Sequence, residues 1–275
     1  LFYNFRITFN AFIKVFTKKE VFNLKINKIA ILGYPISHTL SPIIHNYWLK
    51  ELHINGKYEA IKTPINYLKK TIEKLYKRGY KGLNLTIPLK EEALKYLNNK
   101  DKIVDMIGAT NVLVFSKEGL IEGKNTDVYG FKKSLTKLVK RKKREMAIII
   151  GSGGAARAVL YALIEMKYKE VVLFNRTRKN AERVKKKFLK NFISNLKTKI
   201  VCNNLKNIKK NLEQTDLLIN TTPMGMKGFP VLNIDVKKLK KNSAVFDLIY
   251  NPLETKLIKD SKKRGIKNIN GLDML

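Results

Sequence analysis

Ala147-Ile148-Ile149-Ile150-Gly151-Ser152-Gly153-Gly154-Ala155-Ala156 is the stretch on which the fold turns. Ala147–Ile150 is short, uncharged and mostly β-branched, the pattern of a parallel strand buried on both faces. The glycines after it mark a tight turn, and a helical pattern runs from about Ala155 to Glu165. Strand, glycine turn and helix together let a backbone approach a pyrophosphate, which then meets the free N–H groups and positive dipole end of the helix. Gly151, Ser152, Gly153, Gly154 and Ala155 are therefore candidate dinucleotide-binding residues. A tight βα turn without a ligand is the competing reading of the same residues.

Downstream, the run Val171–Phe174 ends in Asn175-Arg176-Thr177-Arg178-Lys179. Proteins that bind NAD through this turn place an acid about 20 residues on, for the ribose 2′-hydroxyl. No acid stands here, and guanidinium forks bind phosphate in bidentate fashion. The sequence thus favours NADP(H), with Asn175, Arg176, Thr177 and Arg178 around the 2′-phosphate. The alternative is that these arginines belong to a general excess of cations. A third apolar run, Leu217–Ile219, leads into Asn220-Thr221-Thr222-Pro223-Met224-Gly225-Met226. Ligands of open α/β sheets sit beyond strand C-termini, which places Thr221 and Met224 as candidate walls for the nicotinamide.

Upstream, strand patterns at Ile29–Leu32, Lys57–Lys62 and Gly82–Leu85 alternate with helical stretches at Pro42–Leu52, Ile65–Lys77 and Lys90–Leu97. Short extended runs at Thr110–Phe115 and Leu120–Glu122 precede a helix over Val128–Lys140. Further strands at Lys199–Val201 and Ala244–Phe246, and helices near Lys179–Phe188 and Thr255–Arg264, complete the chain. Repeated βα units predict parallel sheets with helices on both faces. The expected architecture is α/β: an N-terminal α/β substrate domain over residues 28–127, a C-terminal Rossmann-type NADP-binding domain over residues 128–268, and a cleft between them.

In the first half, Ser37-His38-Thr39-Leu40-Ser41-Pro42 joins hydroxyls to a helix start, a combination suited to a carboxylate. Simple N-capping by Ser41 accounts for it equally well. Asn84, Thr86 and Lys90 gather at one strand exit, and Asn111 and Asp127 fall in Gly108-Ala109-Thr110-Asn111 and Gly123-Lys124-Asn125-Thr126-Asp127.

Composition bounds the remaining readings. The 275 residues, 44% of them apolar, suffice for two modest domains. No run of about 18 uncharged apolar residues occurs, so no membrane helix is predicted. A single cysteine, Cys202, excludes an intrachain disulfide and fits a reducing cytoplasm. The net charge of +34 invites polyanion partners, but the lysines are spread along the chain and no nucleic-acid module accompanies them. They read as solvated helix faces, with short basic clusters at Arg141–Arg144, Lys185–Lys187 and Lys262–Arg264. Residues 1–27 are aromatic and basic, with no acid before Glu20 and no methionine before Met106. They are read as a leader, a misplaced start being favoured over a targeting peptide.

With these motifs in order, the chain resembles the shikimate dehydrogenase family from about Lys28 to Leu275. The resemblance rests on the Thr39–Pro42 turn, Asn84-Leu85-Thr86-Ile87-Pro88-Leu89-Lys90, Ala109–Asn111, Asn125–Asp127, Gly151–Ala155, Asn175–Thr177 and Asn220–Met226. Asp247-Leu248-Ile249-Tyr250-Asn251-Pro252 and Asn270-Gly271-Leu272-Asp273-Met274-Leu275 complete it. It implies reversible NADPH-dependent reduction of 3-dehydroshikimate to shikimate, in the pathway to chorismate and the aromatic amino acids. It implies Lys90 and Asp127 as the catalytic pair, Asn84, Thr86 and Asn111 at the ring hydroxyls, and Thr39, Ser41 and Tyr250 at the carboxylate. Gly271 would face the nicotinamide. No metal is implied, and a homodimer is compatible with the reading.

Three features depart from the family pattern. Thr39 replaces a common Ser. Asn180 stands where a basic residue often helps the 2′-phosphate, shifting that load to Arg176, Arg178 and Arg183. The sequence stops at Leu275, where the family continues with a helix that returns to the substrate domain, so residues 269–275 read as the start of a truncated helix. A quinate/shikimate dehydrogenase of broader specificity, an impaired or regulatory NADP-binding homologue, and a basic nucleic-acid-associated protein are the competing classes.

Overall fold

The computed structural model describes residues 26–138, 144–192 and 196–275. The leader through residue 25 and most of the basic cluster at Arg141–Arg144 lie outside the described residues. Two compact units emerge. One runs through Asp105 and resumes over Ala109–Thr126; the other comprises Met106–Gly108 and Asp127–Leu275.

The first unit opens with β1 (Asn27–Gly33), α1 (Ser41–Glu51), β2 (Gly56–Lys62), α2 (Leu68–Lys77) and β3 (Tyr80–Leu85). β1 alternates its faces: Ala30 and Leu32 join Leu68, Ile72 and Leu75 of α2 in one core cluster, while Ile29 and Ile31 join Leu49 of α1 and Tyr58 in another. The period of two thus seats a helix on each side of the sheet. α2 presents Leu68, Ile72 and Leu75 inward at helical spacing.

A short α3 (Leu89–Glu92), β4 (Asn99–Lys100) and α4 (Lys102–Ile107) follow, then β5 (Val112–Phe115) and β6 (Ile121–Lys124). The sheet order is β2-β1-β3-β5-β6-β4. β1 is parallel to β2 and β3, but β5 runs antiparallel to β3 and to β6. The parallel pattern expected of the βα units holds for β1, β2 and β3, and chain length accounts for the antiparallel pairing of β5 with β6. Only Ser116–Leu120 joins β5 to β6, closed by Ser116 N–H to the Leu120 carbonyl at 2.9 Å with Gly119 at φ +86°. A parallel crossover needs a dozen or more residues. β4 and α4 were not anticipated; α4 starts where Asp101 Oδ1 accepts the Val104 N–H at 2.6 Å.

The second unit begins with α5 (Asp127–Leu138), β7 (Met146–Ile150), α6 (Gly154–Glu165), β8 (Glu170–Asn175), α7 (Arg178–Asn191) and β9 (Lys199–Asn204). It continues with β10 (Leu217–Asn220), β11 (Ala244–Asp247), α8 (Lys256–Lys263) and β12 (Lys267–Ile269). Its order is β12-β11-β10-β7-β8-β9, every pair parallel. Counted within the unit, that is the doubly wound order 3-2-1-4-5-6 with its switch point between β7 and β10. All five residues of β7 are buried, which accounts for its uninterrupted apolar run. Gly271–Met274 forms a single 3₁₀ turn docked on α5, where Ser134 Oγ donates to the Asp273 carbonyl at 2.9 Å.

Gly82 shows how tightly the first sheet closes. A Cβ there would stand 2.6 Å from the Leu113 carbonyl oxygen on the antiparallel neighbour. Gly82→Ala is expected to cost about 1–3 kcal/mol through overpacking, read as a fall of several degrees in Tm by calorimetry. An unchanged Tm would mean that β3 and β5 are not held in this register.

Candidate active site

The nucleotide half is built around the end of β7. Gly151 adopts φ +116°, and a Cβ on it would run into Thr221 Oγ1. The Gly151 N–H donates to the Phe174 carbonyl at 2.8 Å, and Thr221 donates to the Ile150 carbonyl from its N–H at 3.0 Å and its hydroxyl at 2.7 Å. The turns after β7 and β10 are thereby fused at the switch point, where only glycine fits. Gly153 precedes α6 in extended conformation with no side chain capping the helix. The first N–H groups of α6 are left for an anion. Ser152, Gly154 and Ala155 line the same turn and are part-exposed. These features fit a pyrophosphate.

At the end of β8, Asn175 Nδ2 donates to the Thr177 carbonyl at 2.9 Å, closing the turn into α7. Arg176 and Arg178 are both exposed. Arg178 pairs with Glu182 one helical turn on, at 3.2 Å, so it must exchange that partner to meet a phosphate. Arg176 makes no ion pair among the described residues, and its carbonyl accepts from Asn204 Nδ2 at 3.0 Å. Asn180 lies on the first turn of α7.

Beyond β10 and β11 lies a buried polar cluster that sequence reading left without a role. Asp247, at 0% exposure, accepts from Asn220 Nδ2 at 2.9 Å, from the Ile249 N–H at 3.2 Å and from Thr255 Oγ1 at 2.6 Å. Asn220 also donates to the Met224 carbonyl at 3.1 Å and accepts from the Thr222 hydroxyl at 2.7 Å. One carboxylate therefore braces the loop with Thr221 and Met224 and the loop with Tyr250. The available signal was an acid closing the apolar run Ala244-Val245-Phe246. Met224 itself packs partly against the core of this unit. Gly271 donates its N–H to the Ile249 carbonyl at 3.0 Å, and a Cβ there would collide with the Leu248 carbonyl.

In the first unit, Thr39 and Ser41 meet at the start of α1: the Thr39 hydroxyl donates to Ser41 Oγ at 3.1 Å and accepts the Ser41 N–H at 3.3 Å. Ser41 is the first helical residue, not the N-cap. N-capping by Ser41 is thus corrected, because Thr39 occupies the position from which a side-chain oxygen reaches that N–H. Thr86 packs its methyl against Gly33 and donates its N–H to the Leu32 carbonyl at 2.9 Å. Lys90 lies in α3, half-buried, and its carbonyl accepts the Thr110 N–H at 2.8 Å. Asn111, next in sequence, grips Thr126 twice: Oδ1 accepts the Thr126 N–H and Nδ2 donates to the Thr126 hydroxyl, each at 2.9 Å. Asp127 is one peptide bond further on and opens α5. Asn84 Nδ2 donates to the Asn111 carbonyl at 3.3 Å. Asn84 and Asn111 are thus directly hydrogen-bonded, Lys90 joins them through Thr110, and Thr86 lies between Asn84 and Lys90 in sequence; Asp127 and Tyr250 belong to the second unit.

Comparison with known proteins follows the same division. The model of the shikimate dehydrogenase substrate binding domain matches residues 31–113, and that of shikimate / quinate 5-dehydrogenase matches residues 133–253. The chain belongs to the shikimate dehydrogenase family. Shikimate dehydrogenase (NADP(+)) of Bartonella quintana is 36% identical over 89% of this chain and 82% of its own length. A crystal structure of a shikimate dehydrogenase with NADP+ superposes with TM-score 0.80 at 36% identity, covering 92% of this chain and 86% of the other. The Thermus thermophilus enzyme with NADP(H) and shikimate gives 0.76 at 31% identity, covering 90% and 88%. No helix among the described residues is long and apolar enough to cross a membrane.

Asp247 makes this shikimate dehydrogenase family member's nucleotide unit sensitive to pH. Burial pushes its carboxyl up to about 6 from 3.8, against the opposing hydrogen bonds of Thr255, Ile249 and Asn220. A folded-state pKa above the unfolded one favours the protonated fold, so that contribution is complete below pH 3.8 and lost as pH rises through about 6. Asp247→Asn removes the titration. Between pH 4 and 6.5 the stability of the variant relative to the parent should rise by up to about 3 kcal/mol, at about 1.4 kcal/mol per pH unit. Denaturant midpoints of both proteins across that range provide the check, and a pH-independent difference would contradict it.

Proposed function

We propose that this chain is an NADP-dependent shikimate dehydrogenase, reducing 3-dehydroshikimate to shikimate with NADPH and running the reverse reaction with NADP+. The observation that carries this is the Asn84–Lys90–Asn111–Thr126 neighbourhood in a chain of this family whose nucleotide unit has arginines just after its second strand. The first unit serves as the substrate domain and the second as the NADP domain.

NADPH supplies the hydride when bound. Gly151, Ser152, Gly153, Gly154 and Ala155 would hold the pyrophosphate. Arg176 and Arg178, with Asn175 and Thr177, would hold the 2′-phosphate, and Thr221, Met224 and Gly271 the nicotinamide. The developing alkoxide needs a proton, and we assign its delivery to Lys90 Nζ, which takes it back when the alcohol is oxidised. Asp127 is assigned as the carboxylate partner that orients Lys90. Backbone and side-chain bonds that link their two chain segments support this pairing: the Lys90 carbonyl accepts from Thr110, the adjacent Asn111 holds Thr126, and Asp127 follows in sequence. Asn84, Thr86 and Asn111 would meet ring hydroxyls, and Thr39, Ser41 and Tyr250 the carboxylate. The cation excess adds a long-range pull on both anionic ligands. A reducing cytoplasm suits Cys202, a buried thiol pushed up to about 12.

Coupled loss of NADPH absorbance with 3-dehydroshikimate tests the activity. Lys90→Ala should lower kcat by about 10²–10⁴ while leaving the Kd for NADPH within a few-fold; near-parental kcat would remove Lys90 from the mechanism.

The cofactor assignment has its own test. kcat/KM should favour NADPH over NADH, and Arg176→Ala with Arg178→Ala should narrow the ratio. A parent preference for NADH would overturn the 2′-phosphate assignment and favour a quinate/shikimate dehydrogenase instead.

A further inference from the structure

Tyr58 lies on β2, the edge strand of the first sheet, yet is only 2% exposed. Three contacts fix it. Asn46 of α1 acts as a substitute strand, its Oδ1 accepting the Tyr58 N–H at 2.9 Å and its Nδ2 donating to the Tyr58 carbonyl at 2.8 Å. His45 stacks on the phenol with centroids 4.2 Å apart and planes 10° from parallel. The phenol hydroxyl donates to Asn84 Oδ1 at 2.7 Å. Tyr58 pairs with Ile29 and Asn84 with Ile31, so the ring reaches diagonally over β1 through the apolar cluster of Ile29, Ile31 and Ile36. A buried phenol needs a hydrogen-bond partner, and Asn84 is that partner.

The Asn111 backbone carbonyl fixes which way Asn84 points, and the Tyr58 hydroxyl holds the amide in that orientation. Its other amide atom faces the Asn111 backbone carbonyl, which can only accept. That atom must be Nδ2, so Oδ1 faces Tyr58. The second Nδ2 hydrogen is then the donor that Asn84 has to offer a ligand, beside the remaining lone pair of Oδ1.

We propose that Tyr58 is a positioning residue of the substrate site, locking Asn84 as a hydrogen-bond donor toward a ring oxygen of a polyhydroxylated ring acid. The inference rests on the reading of Asn84 as a substrate residue. A donor suits alcohol and ketone oxygens alike, because both accept. An amide turned the other way would repel a ketone oxygen. Holding the amide from behind therefore keeps one contact in force in both directions of the reaction.

Tyr58→Phe keeps the ring and the His45 stack and removes only the hydroxyl. With shikimate and NADP+, KM for shikimate should rise about tenfold while kcat changes less than about threefold, the size of one misdirected hydrogen bond. Tm and the Kd for NADPH should hold. In an Asn84→Ala background, adding Tyr58→Phe should change KM by less than about twofold, since no amide remains to be aimed. Equal effects of Tyr58→Phe in both backgrounds overturn the proposal. So does an unchanged KM in Tyr58→Phe where Asn84→Ala alone has raised it. If Asn84→Ala itself leaves KM unchanged, the assignment of Asn84 fails and the proposal falls with it.

Discussion

The nucleotide unit depends on a contact that leaves no space for one methyl group. Gly151 turns at φ +116° directly against Thr221, and Thr221 bonds twice to the carbonyl of Ile150. That contact sets how closely the turns after β7 and β10 approach, and those two strands flank the switch point of the sheet. Replacing the glycine would add strain from positive φ and a steric collision at the same place.

A second constraint is polar. Loops outside strand ends are usually the least ordered parts of an α/β sheet, because little apolar surface holds them. Here buried polar side chains do that. Asp247 and Asn220 brace two loops after β10 and β11, and Asn111 braces the chain at Thr126. Tyr58 holds Asn84 from within the first core. Leaving such a group without its partner costs more than the bond contributes, so each brace tolerates few substitutions. The carboxylate of Asp247 carries an additional cost, since it is ionised in a buried position at neutral pH. That cost is offset by three donors, one of them the backbone of the loop it braces.

The legible and illegible parts of this chain divide by range. β7 and its glycine turn could be read because the signal is contiguous and two-sided burial leaves an unbroken apolar run. The helices α2 and α7 could be read because Leu68, Ile72 and Leu75, and Ala181, Val184 and Phe188, recur at helical spacing. The α/β class and the family followed from such local runs taken in order. Direction did not: the short runs forming β5 and β6 carry apolar residues but no mark of antiparallel pairing beyond the brevity of Ser116–Leu120. α4 was missed because six residues are too few for a period, although Asp101 three residues before Val104 was a capping signal. The partners of Asn84 and Asp247 were out of reach, since Tyr58 is 26 residues from one and Asn220 27 from the other. Only strand pairing brings them together. The residues assigned to substrate and cofactor came from motif order, and the structure adds the bonds that orient several of them.

The most direct test of the account is calorimetric titration of NADPH into the parent chain and into Gly151→Ala. The account predicts that the added methyl forces the turns after β7 and β10 apart and weakens NADPH binding by about tenfold or more, about 1.4 kcal/mol or greater, while shikimate binding to the first unit persists. Equal NADPH affinity in the two proteins would show that this junction does not shape the nucleotide site.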